Sequence, residues 1–255
     1  MIPKIIHYCW LSEDAYPSKI QGCIDSWKEK LPNYKIMLWD IERTKICASQ
    51  WVDEAYAQKR YAFAADYIRF YALYYYGGIY LDSDVEVVRD FDDLLHLPYF
   101  VGLDSLGYFE AAVIGSEPNN PWIKRCLDYY IGRHFLLQNG SLDTIPLPEI
   151  MYKQLNLDYK ITSIATPNFT YQIDNFLYVY PYTYFSPKRH DTGLIHIENC
   201  TYTVHHYSMS WMPLYIRFLV SIKRQLMKLI GVENVEKIIV AFNMRKLKSW
   251  ILSRK

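Results

Sequence analysis

Two aspartates one residue apart, Asp82 and Asp84, interrupt an otherwise apolar and strand-like run in the stretch GGIYLDSDVEV. Carboxylates are hard oxygen ligands that suit a divalent cation, and ligands of parallel α/β sheets bind beyond the carboxyl ends of the strands. Because side chains alternate along a strand, we expect both carboxylates on one side and Ser83 on the other. A DxD pair by itself also fits a solvated strand end or a helix cap, so neighbouring segments are needed to distinguish these structures from a metal site.

The segment before the pair carries two further charged residues. RYAFAADYIRFYALYYY, from Arg60 to Tyr76, is apolar almost all round, which predicts a buried helix. Asp66 and Arg69 are its only charged residues after Arg60, and their i, i+3 spacing puts them on one face. A mutual salt bridge would explain them. Because the helix has no polar face and buried charges need partners, a clamp for a polar ligand is the second interpretation.

A third candidate is HHYSMSW, which combines imidazole, hydroxyl and indole groups in seven residues. His205 and His206 would point to opposite sides of a strand, so at most one of them faces the carboxylates. A site of carboxylates and imidazole suits manganese better than calcium. The alternative is a purely structural histidine pair.

Alternating strand and helix patterns must position these residues. KIIHYCW and YKIMLW read as buried strands, and a helix is expected over residues 18–30 between them. Gly77 and Gly78 end the buried helix, since glycine takes the left-handed conformation without a Cβ penalty, and IYLDSDVEVV is a strand that enters a loop. Further strands are expected over residues 100–103 and 111–114, with a helix over 119–133. This alternation predicts an α/β fold with a mostly parallel sheet.

Composition narrows the class of protein. The chain has 255 residues, an apolar fraction of 51% and a formal net charge of +1, which excludes wholesale disorder. Five scattered cysteines form no CxxC pair, so we expect reduced thiols in a cytoplasmic protein and no zinc or disulfide framework. MIPKIIHYCW does not read as a signal peptide, and no apolar run is long enough to predict a spanning helix.

The C-terminal segment, residues 212–255, forms a basic tail that we distinguish from a body of residues 1–211. It contains ten Lys and Arg residues against two Glu. Apolar residues recur at helical spacing over 214–230 with basic residues on the opposite side, and a second such helix is expected over 234–252. Basic amphipathic helices lie on anionic lipid surfaces, so we expect peripheral contact with an anionic membrane. The alternative is a pair of packing helices with solvated faces.

Three stretches in this order, IPKIIHYCW, RYAFAADYIRFYALYYYGGIYLDSDVEV and HHYSMSW, resemble glycosyltransferase family 32. This family of DxD-containing sugar transferases includes bacterial capsule and exopolysaccharide enzymes and fungal mannosyltransferases. The resemblance is close over the first 90 residues and over the short C-terminal stretch, and loose over residues 88–201. It implies a GT-A (Rossmann-like) fold for residues 1–211, a nucleotide-sugar donor such as a UDP-sugar or GDP-mannose, a divalent Mn²⁺ or Mg²⁺ ion, and transfer with retained anomeric configuration.

Carried over by position, the resemblance implies a role for each candidate. Asp84 would bind the metal directly, and Asp82 would reach the ribose or sugar of the donor, partly through waters of the metal. Asp66 and Arg69 would hold the donor sugar and the diphosphate. Trp10, at the end of the first strand, would lie beside the nucleobase.

The resemblance also assigns roles to the C-terminal block. His206, with His205 as the alternative, would complete the metal shell, and Ser210 and Trp211 would touch the diphosphate. The expected protein is a metal-dependent retaining hexosyltransferase that extends a surface polysaccharide such as a capsule, with a glycan or lipid-linked acceptor and no nucleic-acid partner. We expect it in the cytoplasm, at the inner face of the cell membrane. The alternative is a catalytically inactive carbohydrate-binding or scaffold protein of the same fold.

Overall fold

The computed structural model describes residues 1–164, 175–208 and 214–241. The strands are β1 (Ile5–Cys9), β2 (Lys35–Trp39), β3 (Gly78–Leu81), β4 (Val85–Val87), β5 (Tyr99–Leu103), β6 (Phe109–Ser116), β7 (Lys160–Ser163), β8 (Phe176–Val179) and β9 (Thr203–His205). The α-helices are α1 (Ser18–Lys30), α2 (Ile41–Thr44), α3 (Gln50–Ala57), α4 (Tyr61–Tyr76), α5 (Pro121–Asp128), α6 (Leu147–Leu155), α7 (Tyr182–Phe185), α8 (Leu214–Ile230) and α9 (Val232–Ala241). Two short 3₁₀ helices cover Lys45–Cys47 and Asp92–Leu94.

A five-stranded sheet in the order β2-β1-β3-β6-β5 forms the centre of the fold. β2, β1 and β3 are parallel, as expected from the βαβ pattern, and the predicted α/β class is confirmed. β6 pairs antiparallel with β3. β5 pairs antiparallel with β6, because only a short hairpin connects these two strands and a parallel pair would need a long crossover. Since β1 and β3 are parallel neighbours, their carboxyl ends lie next to each other at one edge of the sheet.

Hydrophobic side chains cover both faces of this sheet. Alternation along β3 sends Tyr80 to one face and Ile79 and Leu81 to the other, and these residues belong to two separate buried clusters. Helix α4 packs on the Tyr80 face and contributes Ile68 and other fully buried side chains. Helix α4 is therefore held against the strand that leads to the DxD pair.

The turn from α4 into β3 requires glycine. Gly77 and Gly78 have φ angles of +62° and +106°, and the Gly77 amide donates to the carbonyl of Leu73 to end the helix. A Cβ on Gly77 would lie 2.7 Å from the Pro118 ring, and one on Gly78 would lie 2.6 Å from the carbonyl oxygen of Ile5. A side chain is excluded at both positions, so the helix stop predicted from the sequence is confirmed.

The DxD residues lie in a turn and not on a strand. β3 ends at Leu81, the Val85 amide donates to the Asp82 carbonyl at 3.0 Å, and β4 then pairs antiparallel with β9. Strand alternation, which we expected to set Asp82 and Asp84 on one side, is therefore not the reason that they lie together. The tight turn brings their carboxylates together, because the chain leaves the central sheet here to pair with β9.

The described residues divide into two compact units, 1–188 with 196–208, and 189–195 with the helical tail. In the tail, α8 has the predicted bounds, and α9 begins at Val232 with its predicted end outside the described residues. Within the described residues, the helices fall short of the length and apolar character that crossing a bilayer requires.

Candidate functional site

The DxD turn and β9 bring together three metal-ligating side chains. One ligand atom from each of Asp82, Asp84 and His205 lies within 4.8 Å of the others. The Nε2 atom of His205 is 3.3 Å from an oxygen of Asp84. Val85 and His205 are paired across β4 and β9, so the sheet pairing places the imidazole beside the turn.

Asp84 is held in place from several directions. One carboxylate oxygen accepts the backbone N–H of Ser208 at 2.6 Å, and its main-chain carbonyl accepts the N–H of His206 at 3.1 Å. Burial disfavours the charge on Asp84, but His205 and the Ser208 hydrogen bonds outweigh burial and keep the pKa of Asp84 well below its usual value. The carboxylate is therefore ionised and preoriented at neutral pH.

Arg69 on α4 links the helix to the DxD turn. One guanidinium nitrogen lies 3.2 Å from oxygens of both Asp66 and Asp82, the other terminal nitrogen donates to the carbonyl of Ala111, and the group lies 4.5 Å from the centre of the Tyr80 ring. The side chain is only 5% exposed. The salt bridge between Asp66 and Arg69 is present, and it extends to Asp82, so the pair supports the DxD turn from behind.

Burial and the charge of Arg69 act in opposite directions on the pKa values of Asp66 and Asp82. Burial raises the pKa of Asp66 to about 7, although Arg69 opposes this shift. Burial also raises the pKa of Asp82, again opposed by Arg69 and by His205. Arg69 itself remains charged because its carboxylate neighbours outweigh burial and raise its pKa.

A buried carboxylate, Glu110 on β6, contacts the other nitrogen of His205. The distance from Nδ1 of His205 to the Glu110 carboxylate is 3.1 Å. Burial opposes a charge on His205, but Glu110 and Asp84 outweigh it and raise the pKa of His205 well above its usual value. In turn, His205 and the hydroxyls of Ser186 and Tyr207 overcome burial and lower the pKa of Glu110 to about 2.

The remaining predicted site residues are placed differently. The sequence favoured His206 as the metal ligand, with His205 as the alternative, and the structure brings His205 to the aspartates. His206 points to the other side of β9, where its Nε2 lies 2.9 Å from Glu86, because neighbouring residues of a strand face opposite ways. Ser210 and Trp211 lie outside the described residues, so their contact with a diphosphate stays a prediction.

Trp10 follows β1 at the same sheet edge as the DxD turn. Its indole N–H donates to the carbonyl of Asp14 at 2.9 Å, and its ring meets Tyr16 edge to face, with the ring centres 4.9 Å apart. This half-buried ring is held by its own loop. Its proposed position beside a nucleobase stays a prediction.

The donor set of Asp82, Asp84 and His205 fits a divalent ion. Two carboxylates and one imidazole are ligands that Mn²⁺ accepts, and Mg²⁺ would use the carboxylates. Glu110 adds a negative charge beside the imidazole, and Asp66, whose pKa is about 7, is partly ionised beside Arg69. The cluster therefore attracts a cation, and the ligand chemistry agrees with the sequence-based expectation of a metal.

Sequence reasoning missed Glu110 and Tyr207. Glu110 is the single charged residue in the buried run FEAAVIGS of β6, and an isolated carboxylate in an apolar strand is the same signal that singled out the DxD pair. Tyr207 is adjacent to the two histidines, but its contact with Glu110 depends on the pairing of β9, which the sequence does not reveal.

Comparison with known proteins supports the relationship that the motifs suggested. Residues 17–101 match the family described as the glycosyltransferase sugar-binding region containing a DXD motif. Inositol phosphoceramide mannosyltransferase 3 of Schizosaccharomyces pombe is 36% identical over 126 residues, which is 48% of this chain and 35% of that protein. A glycosyltransferase named L373 from Acanthamoeba polyphaga mimivirus is 31% identical over 152 residues, covering 55% of this chain and 59% of that protein.

Among solved structures, PaToxG glycosyltransferase covers 61% of this chain and 70% of its own, with 23% identity and a TM-score of 0.45. The chain spans about a third of the length of the fungal relative, and the family match includes the helix α4 and the DxD turn. Through the region that carries its DxD motif, the chain is therefore related to the family 32 type of DXD-containing glycosyltransferases, as the sequence indicated.

Proposed function

We propose that this protein is a metal-dependent retaining glycosyltransferase that moves a sugar from a nucleotide-sugar donor to a glycan or lipid-linked acceptor. One observation carries the proposal: Asp82, Asp84 and His205 converge at the carboxyl edge of the sheet, and both aspartates lie within the segment that matches the sugar-binding region containing a DXD motif. Ligands of α/β sheets bind at this edge, and a cation there would lie where the diphosphate of a donor is expected.

Some residues of the site would bind the ion, and others hold those ligands in position. Asp82, Asp84 and His205 would hold the ion, which when bound supplies positive charge that stabilises the departing nucleoside diphosphate. Asp84 is fixed by the Ser208 amide and Asp82 by Arg69, so both carboxylates are oriented before a ligand arrives. Preorganised charge of this kind contributes to the rate because it needs no rearrangement during the reaction.

The donor and the acceptor follow from the relatives only as proposals. The names of the fungal relatives specify mannosyltransferases that act on inositol phosphoceramide, so GDP-mannose is the first donor to test, beside UDP-sugars. We propose a role in surface polysaccharide biosynthesis, such as capsule formation, because the sequence resemblance includes such enzymes.

The decisive experiment is a turnover assay with a panel of nucleotide-sugars. Purified protein with Mn²⁺ is expected to release GDP or UDP from one donor, and EDTA is expected to abolish the release. Asp84→Asn should lower turnover by roughly 100- to 1,000-fold, because it removes a charge that holds the cation. Asp25→Asn is the matched control, since it removes the same charge from an exposed residue of α1 and should leave turnover unchanged.

Two outcomes would contradict this function. Failure to cleave any donor with Mn²⁺, together with glycan binding that is independent of nucleotide, would indicate the carbohydrate-binding alternative. Full turnover of Asp84→Asn would show that the DxD turn does not hold the cation.

We further propose that the tail contacts an anionic membrane and keeps the protein at the cytoplasmic face of the cell membrane. On α8 a row of apolar side chains is exposed, with Phe218 at 66% and Leu229 at 79%. Arg217, Arg224 and Lys228 are spaced to the opposite side of the same helix. Exposed apolar residues with flanking basic residues are typical of helices that lie in a lipid interface.

Vesicle sedimentation tests the membrane proposal. The protein should sediment with vesicles that contain about 30% phosphatidylglycerol and remain in solution with pure phosphatidylcholine, because basic residues contribute roughly 1 kcal/mol each near an anionic surface. Reversing Arg245, Lys246 and Lys248 to Glu should abolish sedimentation.

A second triple variant controls for net charge. Lys28, Lys30 and Lys45 are exposed outside the tail, and reversing them to Glu changes the total charge by the same amount. Equal loss of sedimentation in both triple variants would refute a specific role for the tail.

A further inference from the structure

Glu110 is a carboxylate in a place where the fold should exclude one. It is 3% exposed, and every residue of its strand β6 is buried. A buried charge is unfavourable unless it is paired and hydrogen-bonded. Each oxygen of Glu110 meets this condition: Oε1 accepts the N–H of Ala112 at 3.1 Å and lies 3.1 Å from Nδ1 of His205, and Oε2 accepts the hydroxyl of Tyr207 at 2.9 Å.

These contacts determine what His205 can present to a ligand. A carboxylate without a proton can only accept, so Nδ1 of His205 must carry the hydrogen that lies toward Glu110. The other nitrogen, Nε2, lies 3.3 Å from Asp84. Only a nitrogen without a hydrogen can bind a metal ion, and a neutral imidazole has one such nitrogen. With Nδ1 committed to Glu110, the nitrogen that gives up its hydrogen to bind an ion is Nε2.

Glu110 is itself held rigidly. The hydroxyls of Tyr207 and Ser186 lie 2.6 Å apart, and both interact with Glu110. These contacts and the Ala112 amide leave the carboxylate little freedom to rotate. They also occupy both of its oxygens, which argues against a direct attack by Glu110 on a sugar.

We propose that Glu110 is a positioning residue of the metal site: it fixes the orientation and tautomer of His205 so that Nε2 faces the ion held by Asp82 and Asp84. This inference rests on the proposed metal-dependent function. Carboxylates that orient metal-binding histidines typically change metal affinity by about 10- to 100-fold when they are removed. Glu110 would therefore act through His205 without touching the ion or the donor.

The test is Mn²⁺ binding to the full chain, measured by calorimetry and by pulsed electron spin-echo spectroscopy. Wild-type protein should show ¹⁴N modulation from a bound imidazole, and His205→Gln should lose it. Glu110→Gln should bind Mn²⁺ about 10-fold more weakly, and Glu110→Ala up to about 100-fold more weakly with reduced ¹⁴N modulation. Glu110→Gln preserves the shape of the side chain, so it keeps the test valid if Glu110→Ala does not fold.

Asp143→Asn is the matched control. Asp143 is a buried carboxylate paired with Arg133, so its substitution also removes a buried negative charge. Unchanged Mn²⁺ affinity in Asp143→Asn, with the loss in Glu110→Gln, would support the inference. An equal loss in both variants would overturn it.

Other results would also overturn the inference. Wild-type affinity and ¹⁴N modulation in folded Glu110→Gln and Glu110→Ala would show that Glu110 does not position the ligand. Loss of turnover with an unaltered metal signal would assign Glu110 to the reacting sugar instead. Lack of ¹⁴N modulation in wild-type protein would remove His205 from the metal shell, whereas failure of sugar transfer with Mn²⁺ and ¹⁴N modulation present would contradict only the proposed function.

Discussion

Two histidines in the same unit lie in opposite electrostatic surroundings. His7, in the middle of β1, is completely buried, and both of its hydrogen-bond partners are neutral. Its Nδ1 accepts the indole N–H of Trp39 at 3.1 Å, so its Nε2 carries the hydrogen that is donated to the carbonyl of Gly77 at 2.8 Å. Burial lowers the pKa of His7 to about 4, from an ordinary value of 6.5.

His205, at the end of β9, is also largely buried but lies between two carboxylates. Asp84 and Glu110 contact its two nitrogens and raise its pKa well above the usual value, although burial opposes the shift. Burial alone therefore does not show whether a histidine is a structural residue or a candidate metal ligand. Neutral partners at both nitrogens make His7 part of the frame that holds the α4–β3 turn, whereas acidic partners make His205 a candidate ligand.

The largest expected effect comes from replacing each histidine in turn with glutamine, which distinguishes a metal ligand from a structural residue. His205→Gln should lower sugar transfer by roughly 100- to 1,000-fold, because it removes a ligand of the charge-stabilising ion. His7→Gln should keep turnover and Mn²⁺ affinity within about 3-fold of wild type, since the glutamine amide can still donate to Gly77 and the site is at the other end of β3. A folded His7→Gln protein with weakened Mn²⁺ affinity would contradict this division.

The next effect concerns the pH dependence of folding in metal-free protein. Between pH 6.5 and pH 4, the unfolded chain binds a proton at His7 and the folded chain does not. The free energy of unfolding therefore falls as the pH falls across this window, by roughly 3 kcal/mol for this one group. His7→Gln should lack this contribution, so urea denaturation should show its stability deficit shrinking from pH 7.5 to pH 4.

The sign is opposite for His205. Its folded-state pKa is raised, so its contribution to stability is complete below pH 6.5 and is lost as the pH rises through the raised value. The stability deficit of His205→Gln should therefore shrink as the pH rises. Parallel pH profiles for the two variants would show that their surroundings do not differ as described.

The sequence allowed prediction of the elements that depend on local patterns. The buried helix α4, its stop at Gly77, and the strands β1 to β3 follow from apolar periodicity and from glycine conformations. Asp66 and Arg69 on α4, and Asp82 directly after β3, were identified because charge is rare in these apolar stretches. The structure connects all three through the Arg69 guanidinium.

What could not be predicted depends on long-range pairing. Whether His205 or His206 faces the DxD turn is set by the register of β9 against β4, which joins residues about 120 positions apart. A shift of one residue would exchange the two histidines. Glu110 reaches the site only because β6 pairs antiparallel with β3, and the sequence pattern favoured a mostly parallel sheet.

The smallest expected effect concerns Tyr207, whose hydroxyl is linked to Nδ1 of His205 through Glu110. Tyr207→Phe removes the hydroxyl that donates to Glu110 at 2.9 Å but leaves the bonds of Glu110 to His205 and Ala112. We expect Mn²⁺ affinity to fall only about 3-fold, below the 10- to 100-fold range of a direct histidine partner, with the ¹⁴N modulation retained. Calorimetric titration with Mn²⁺ measures the difference.

Tyr34→Phe is the control that makes so small a change interpretable. Tyr34 also donates its hydroxyl to a carboxylate, that of Asp92, at 2.6 Å, and Asp92 is paired with Lys4 away from the metal ligands. Each substitution should cost about 1 kcal/mol of stability for its lost hydrogen bond, but only Tyr207→Phe should weaken Mn²⁺ binding. If Tyr34→Phe weakens it equally, the effect of Tyr207 reflects general loosening of the fold and not support of His205 through Glu110.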